Sequence, residues 1–199
     1  MVDKNYTDLA AVRSFNQDDD MLEELVEALI PAVSRAIDRV CRRKFFTVED
    51  VRLYDWQDGN QLRLRDDLIS LNSVTTNANQ MFVADTLVLD PRSGPPYMRI
   101  GVRSGMGARF AYTVSYTEAI SVDGVWGYQP VLPVEIDLSC KAWVSDIYAG
   151  SDTRGMESMS GGGIRASLRK LEEGPPPDVK GWLSSFIKPT RLASGGFWL

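Results

Sequence analysis

The chain has 199 residues, 44% of them hydrophobic and 25% charged, which suffices for one well-cored domain or a core domain with an arm. This is globular composition, and it excludes a disordered or fibrous chain. A net charge of −5 and a pI near 4.9 argue against a protein that grips DNA through its phosphates, because that task calls for a basic excess.

The first zone is helical and runs from about Thr7 to Phe45. Thr7 can cap a short helix carrying Leu9, Ala10 and Val12, and a break follows at Asn16-Gln17. From Asp19 to Arg43, Leu22, Leu25, Leu29, Val33, Ala36, Ile37 and Val40 recur at three- and four-residue intervals, the mark of one helical face. Asp18, Asp19, Asp20, Glu23 and Glu24 lie at its start, and Arg39, Arg42, Arg43 and Lys44 at its end, matching the helix dipole. Pro31 lacks a backbone donor and predicts a kink or a division of this helix.

The period changes in the second zone, about Thr47 to Trp126. Val51-Arg52-Leu53-Tyr54 and Leu62-Arg63-Leu64 flank Asp58-Gly59-Asn60, which reads as a hairpin turn. Ser73 to Thr76, Leu87 to Leu89 and Tyr97 to Val102 are further strands, and Phe110, Tyr112, Val114 and Tyr116 alternate as another strand would. The expectation is a small antiparallel sheet of five or six strands. In the third zone Pro133 suits a first helical turn, and Ile136, Cys140, Trp143, Val144 and Ile147 mark one face of a helix ending near Ala149. Neither amphipathic helix can bury its stripe alone. The expected architecture is therefore α+β: residues 1–149 as a single domain, helical over 1–46 and 131–149, with a β insertion over 47–130.

Residues 150–199 read as a flexible arm with short helices. Ser151 to Gly163 is rich in Gly, Ser and Met, and Glu173-Gly174-Pro175-Pro176-Pro177 is a stiff break. Ile164 to Leu171 and Val179 to Ile187 are short amphipathic pieces, the second carrying Trp182, Leu183, Phe186 and Ile187 on its apolar face. Beyond it come Leu192 and the terminal Phe197-Trp198-Leu199. Each large side chain gains roughly 1.5–3 kcal/mol on full burial, so the arm either folds back on its own domain or docks on another subunit. Trp182, Phe186, Leu192, Phe197, Trp198 and Leu199 are the candidate docking residues.

A search for chemistry returns little. With no histidine, a Ser-His-Asp or Cys-His arrangement is impossible. Gly105-Met106-Gly107 comes nearest to a phosphate loop but lacks its third glycine and reads as a hairpin tip. Asp18-Asp19-Asp20 fits an acidic helix start better than a metal site. Cys41 and Cys140 have no Cys-x-x-Cys spacing and read as buried free thiols. No catalytic, cofactor or metal residues are expected. Arg35, Arg39, Arg42 and Arg43 form a basic surface with two readings: contact with DNA phosphates or an acidic partner, or pairing along the helix, Asp38 with Arg42, and with the helix terminus. Met1-Val2-Asp3-Lys4-Asn5 lacks a signal-peptide core, and no run of about 18 apolar residues offers a membrane span, so cytosolic synthesis is expected. Asn5-Tyr6-Thr7 is then a chance glycosylation triplet.

Three phrases carry a resemblance. Leu29-Ile30-Pro31-Ala32-Val33-Ser34-Arg35-Ala36-Ile37-Asp38-Arg39-Val40-Cys41-Arg42-Arg43-Lys44-Phe45 resembles the long N-terminal helix of tailed-bacteriophage head–tail connector (adaptor) proteins. Gly124-Val125-Trp126-Gly127-Tyr128, followed by Val131-Leu132-Pro133-Val134-Glu135-Ile136, resembles their last strand and the helix start after it. Leu68 to Thr75 and Leu89 to Tyr97 look like strands of their inserted sheet. The shared order over about residues 6–149 implies packed helices with a β insertion, and a non-enzymatic virion protein at the neck. It further implies a homo-oligomeric ring, commonly a dodecamer, beneath the portal protein. A stopper or tail-completion protein would sit on the other side, and viral double-stranded DNA would pass through the lumen without sequence-specific binding. The arm would clasp the portal or a neighbouring subunit. Another neck or tail-completion role, or a nucleic-acid-binding regulator using the basic surface, is the alternative.

Overall fold

The computed structural model describes residues 4–57, 60–103, 109–112, 115–151 and 170–188. They form four α-helices and a six-stranded antiparallel sheet, an α+β fold with the strands falling between the second and third helices in the chain. Two compact units result: residues 44–133 hold the sheet, and residues 1–43 with 134–199 hold the helices.

In the helical unit, α1 spans Leu9–Asn16. Its cap is Asp8 rather than the expected Thr7: the Asp8 carboxylate accepts from the Ala11 N–H at 2.8 Å, one residue later than the hydroxyl would. Helix α2 spans Glu23–Cys41. It starts four residues after Asp19 because Asp18 turns back to accept the Asp20 N–H at 3.0 Å, leaving the acidic run outside the helix. The Leu22 N–H instead donates to the Tyr148 hydroxyl at 3.0 Å. Pro31 neither ends nor divides α2, which continues to a left-handed cap at Arg42. Its buried side is wider than the single predicted stripe, since Val26, Ile30, Ser34 and Cys41 are buried beside Leu25, Leu29, Val33, Ala36 and Ile37.

Helix α3 spans Val134–Ala149, directly after Pro133, and buries all five apolar residues expected of it. It meets α2 where the Ser34 hydroxyl lies 3.7 Å from the Cys140 thiol, and α1 where the Asn16 amide donates to Ser145 Oγ at 2.7 Å. Helix α4, Pro177–Leu183, packs on α3 and α2 through the buried Val179 and Leu183.

The sheet comprises β1 Val48–Tyr54, β2 Gln61–Thr76, β3 Met81–Val83, β4 Leu87–Asp90, β5 Tyr97–Val102 and β6 Ile120–Trp126. Its order is β1-β6-β2-β5-β4, with β3 also on β2. The hairpin expected between β1 and β2 is therefore not formed, because β6 lies between them and pairs with both. A turn signal reports a chain reversal, not which strand fills the neighbouring lane. The strand expected from Phe110 to Tyr116 is absent among the described residues, where 109–112 and 115–119 run outside any ladder. Phe110 is nonetheless buried, edge-on to Phe82 at 5.1 Å. The predicted Leu62–Leu64 and Ser73–Thr76 strands are two ends of β2, whose register shifts at Leu68/Ser70 and Leu71/Ser73.

Candidate functional site

The residues quoted for the resemblance prove to be structural joints. At β6, Gly124 faces the β2 bulge, where an added Cβ would sit 2.5 Å from the Ser70 carbonyl oxygen and 2.8 Å from Leu68 Cδ1. Gly127 has φ +140°, and a Cβ there would lie 2.5 Å from the Phe46 carbonyl oxygen. Between them Trp126 is buried, donates its indole N–H to the Asp50 carbonyl at 2.8 Å, and stacks with Tyr54 at 6.1 Å. Arg52 covers the same indole at 4.4 Å while pairing with Asp66 at 2.6 Å. Tyr128 sits edge-on to Phe45 at 5.4 Å, and its N–H donates to the Lys44 carbonyl at 3.0 Å. These contacts of Trp126 and Tyr128 lie within the sheet unit, where they close β6 onto β1 and fix the chain leaving the sheet.

The basic surface splits. Arg35 pairs with Asp38 at 2.9 Å, donates to the Lys4 carbonyl at 2.7 Å and lies 5.6 Å from the Tyr6 ring centre. Asp38 also accepts from the Tyr6 hydroxyl. Arg43 donates to the Phe186 carbonyl at 2.8 Å and the Lys188 N–H to the Cys41 carbonyl at 2.9 Å, which fixes the chain after α4 against the end of α2. Arg39 and Arg42 remain exposed on the helix surface. Asp38 thus pairs along the helix with Arg35, one turn back.

Of the six candidate docking residues, two are described. Trp182 is 39% exposed beside Ile187 at 42%, and Phe186 is half-buried. Leu192, Phe197, Trp198 and Leu199 lie outside the described residues, as does Gly105-Met106-Gly107. The apolar face of the second amphipathic piece is therefore shared: Val179 and Leu183 turn inward, while Trp182 and Ile187 face solvent.

Both cysteines are free and buried, as expected. Burial, with a smaller push from Asp38, raises the Cys41 thiol to about 12. Burial likewise raises Cys140 to about 12 against an opposing hydrogen bond from Ser34. Neither thiol is primed as a nucleophile. Among the described residues no group of His, Cys, Asp and Glu side chains could hold a metal, and no helix is long and apolar enough to cross a membrane.

Two surfaces were not foreseen from the sequence. The exposed side of β1 runs Glu49, Val51 and Leu53, with Asp55 just past the strand's end, Val51 being 56% and Leu53 43% exposed. At the opposite margin of the sheet, Leu87, Val88, Leu89, Arg92, Tyr97 and Arg103 line a groove of about 420 Å³. The alternation in β1 was legible; that β1 and β4 would be the sheet's two margins was not.

No protein-family model matches the chain, and no curated protein does. A solved structure does match in three dimensions, the neck of an empty GTA (gene transfer agent) particle computed with C6 symmetry, with a TM-score of 0.53 and 16% identity over 93% of this chain and 91% of that one. The chain shares the fold of that neck component. The likeness extends over nearly the whole length of each chain.

Proposed function

We infer that this chain is a structural neck protein of a tailed-phage-like particle, a head–tail connector (adaptor) subunit that forms a ring beneath the portal. One observation carries the reading: a fold shared over 93% of the chain with a GTA neck chain. The order of the helix, sheet and junction phrases in the sequence supports it independently. In this reading the role is mechanical and not catalytic. The subunit is made in the cytoplasm of a bacterial host and ends in the virion, between the portal and a stopper or tail-completion protein. A dodecamer would be compatible with the six-fold symmetry applied to the related neck. The net charge of −5 suits a lumen that DNA must traverse without adhering.

The arm supplies the grip. Trp182 and Ile187 present exposed apolar surface, and Leu192, Phe197, Trp198 and Leu199 follow in the sequence as further docking residues for the portal or the next subunit. The test of function is assembly. DNA-filled heads prepared without this chain should bind it as a ring and become able to join tails; heads that gain neither refute the reading. Removing residues 190–199 should weaken attachment to the portal while leaving the subunit folded, and unchanged co-sedimentation with portal would count against the arm's part.

The exposure of Arg39 and Arg42 leaves a second reading, a nucleic-acid-binding regulator using that helix surface. Arg35 and Arg43, tied to Asp38 and Phe186, are already engaged within the subunit, and Arg42 is not free either. A gel-shift titration decides: no retardation of DNA or RNA at low salt rejects the regulator.

A further inference from the structure

A closed ring needs two different patches on every subunit, because each copy meets one neighbour on one side and the next neighbour on the other. The sheet carries two candidates at its opposite margins, β1 and β4. Along β1 and just past its end the exposed side chains are acid, aliphatic, aliphatic, acid: Glu49, Val51, Leu53, Asp55. Among the described residues Glu49 and Asp55 have no cationic partner; Asp55 accepts only the Glu118 N–H, at 2.9 Å. The β4 margin shows the inverse pattern. Its groove has an apolar floor and wall in Leu87, Val88 and Tyr97, with Arg92 and Arg103 both exposed and without a carboxylate partner among the described residues. The two arginines sit near opposite ends of the strand along the chain path, the placement of Arg103 resting on a backbone bond. Arg103 is held beside its start, where its N–H donates to the Thr86 carbonyl at 3.0 Å, and Arg92 follows its end at Asp90.

We propose that the β4 groove of one copy receives the β1 margin of the next, Glu49 and Asp55 meeting Arg92 and Arg103 around a centre of Val51 and Leu53. The occupant is a second copy of this chain. Two features select it over an unrelated acidic partner. The acids that flank the β1 row are opposite in sign to the two arginines that line the groove, Asp90 beside the groove being paired with Arg99, and apolar residues lie between the charges on both surfaces. Placing the patches on opposite margins of one sheet also lets the contact repeat from copy to copy without using up its own partner, as self-complementary pairing would. The proposal rests on the ring reading of the function.

The experiment uses the full chain and DNA-filled heads prepared without it, and counts bound copies per head. Reversing one margin, as E49R/D55R or as R92E/R103E, replaces attraction by repulsion and should lower bound copies about tenfold or more, with circular dichroism confirming the fold and E49R alone avoiding the loss of the Glu118 N–H bond to Asp55. Combining all four reversals restores complementarity and should return the copy number to that of the unaltered chain. Full binding by either single-margin variant overturns the proposal. So does a four-fold variant that stays unbound although folded. If the unaltered chain itself fails to bind heads, the neck reading falls and this contact falls with it, whereas an unaltered ring that tolerates both reversals removes the contact alone.

Discussion

The helical unit and the sheet unit build their cores by opposite routes. Helix α2 buries residues that are neighbours in the sequence, and α3 needs only to lay one stripe against them. The sheet draws its interior strand β6 from far along the chain, so that Val48 pairs with Trp126 and Thr76 with Ile120 on its two sides. Local periodicity therefore carries the first unit and long-range pairing the second. Their weak points differ accordingly. The helical core depends on packing volume, and the sheet depends in addition on single positions where backbone must approach backbone.

The sharpest way to break that contrast is to empty each core once. Trp143 in α3 and Trp126 in β6 are both fully buried, and Trp→Ala at either should cost about 3–5 kcal/mol in urea unfolding. Trp126→Phe keeps most of the volume yet loses the indole bond to Asp50, so it should still cost about 1 kcal/mol or more. Equal stability of that variant would show packing alone to be sufficient in the sheet.

Gly124→Ala probes the close approach, which the helices lack. The new Cβ would meet the Ser70 carbonyl at 2.5 Å, so β2 and β6 must part, at a cost of about 1–3 kcal/mol by the same assay. A neutral result would mean the bulge yields without strain.

Proton uptake gives a third comparison. Cys41 and Cys140 in the helical unit and Tyr54 in the sheet unit are each pushed up to about 12, chiefly by burial. Raised values mean the folded state holds these protons more tightly than the unfolded one. Stability from them is full below the ordinary thiol and phenol values and is lost as pH climbs towards 12. Urea midpoints should be flat from neutrality to about pH 8.5 and then fall, by up to about 1.4 kcal/mol per pH unit per group. C41A/C140A should remove the helical unit's share of that fall, and an unchanged slope would show the thiols to be uninvolved. The smallest effect is at the α1 cap, where Asp8→Ala should cost about 1 kcal/mol and Thr7→Ala much less.

The candidate site was legible only in pieces. The basic cluster could be read from the sequence, and its internal use could be anticipated in kind; that Arg35, at 2.9 Å, and the Tyr6 hydroxyl both engage Asp38 could not, because Tyr6 lies 32 residues away in the chain. The tail's apolar face was legible as well. Which half of it turns inward was decided by the end of α2, where Arg43 and the Cys41 carbonyl hold the chain at Phe186 and Lys188.

Taken by itself, the sequence determined the α+β class, the burial of Ile136, Cys140, Trp143, Val144 and Ile147, and the two glycine-bracketed joints around Trp126. These follow from periodicity and from backbone sterics, which act within a few residues of each other. Tertiary structure alone decided that β6 would separate β1 from β2, that Phe110 would be buried outside any strand, and that the acid-flanked row on β1 and the groove lined by Arg92 and Arg103 would lie at separate margins of the sheet. Strand order is fixed by which distant apolar faces bury most surface together, and no local pattern encodes that choice.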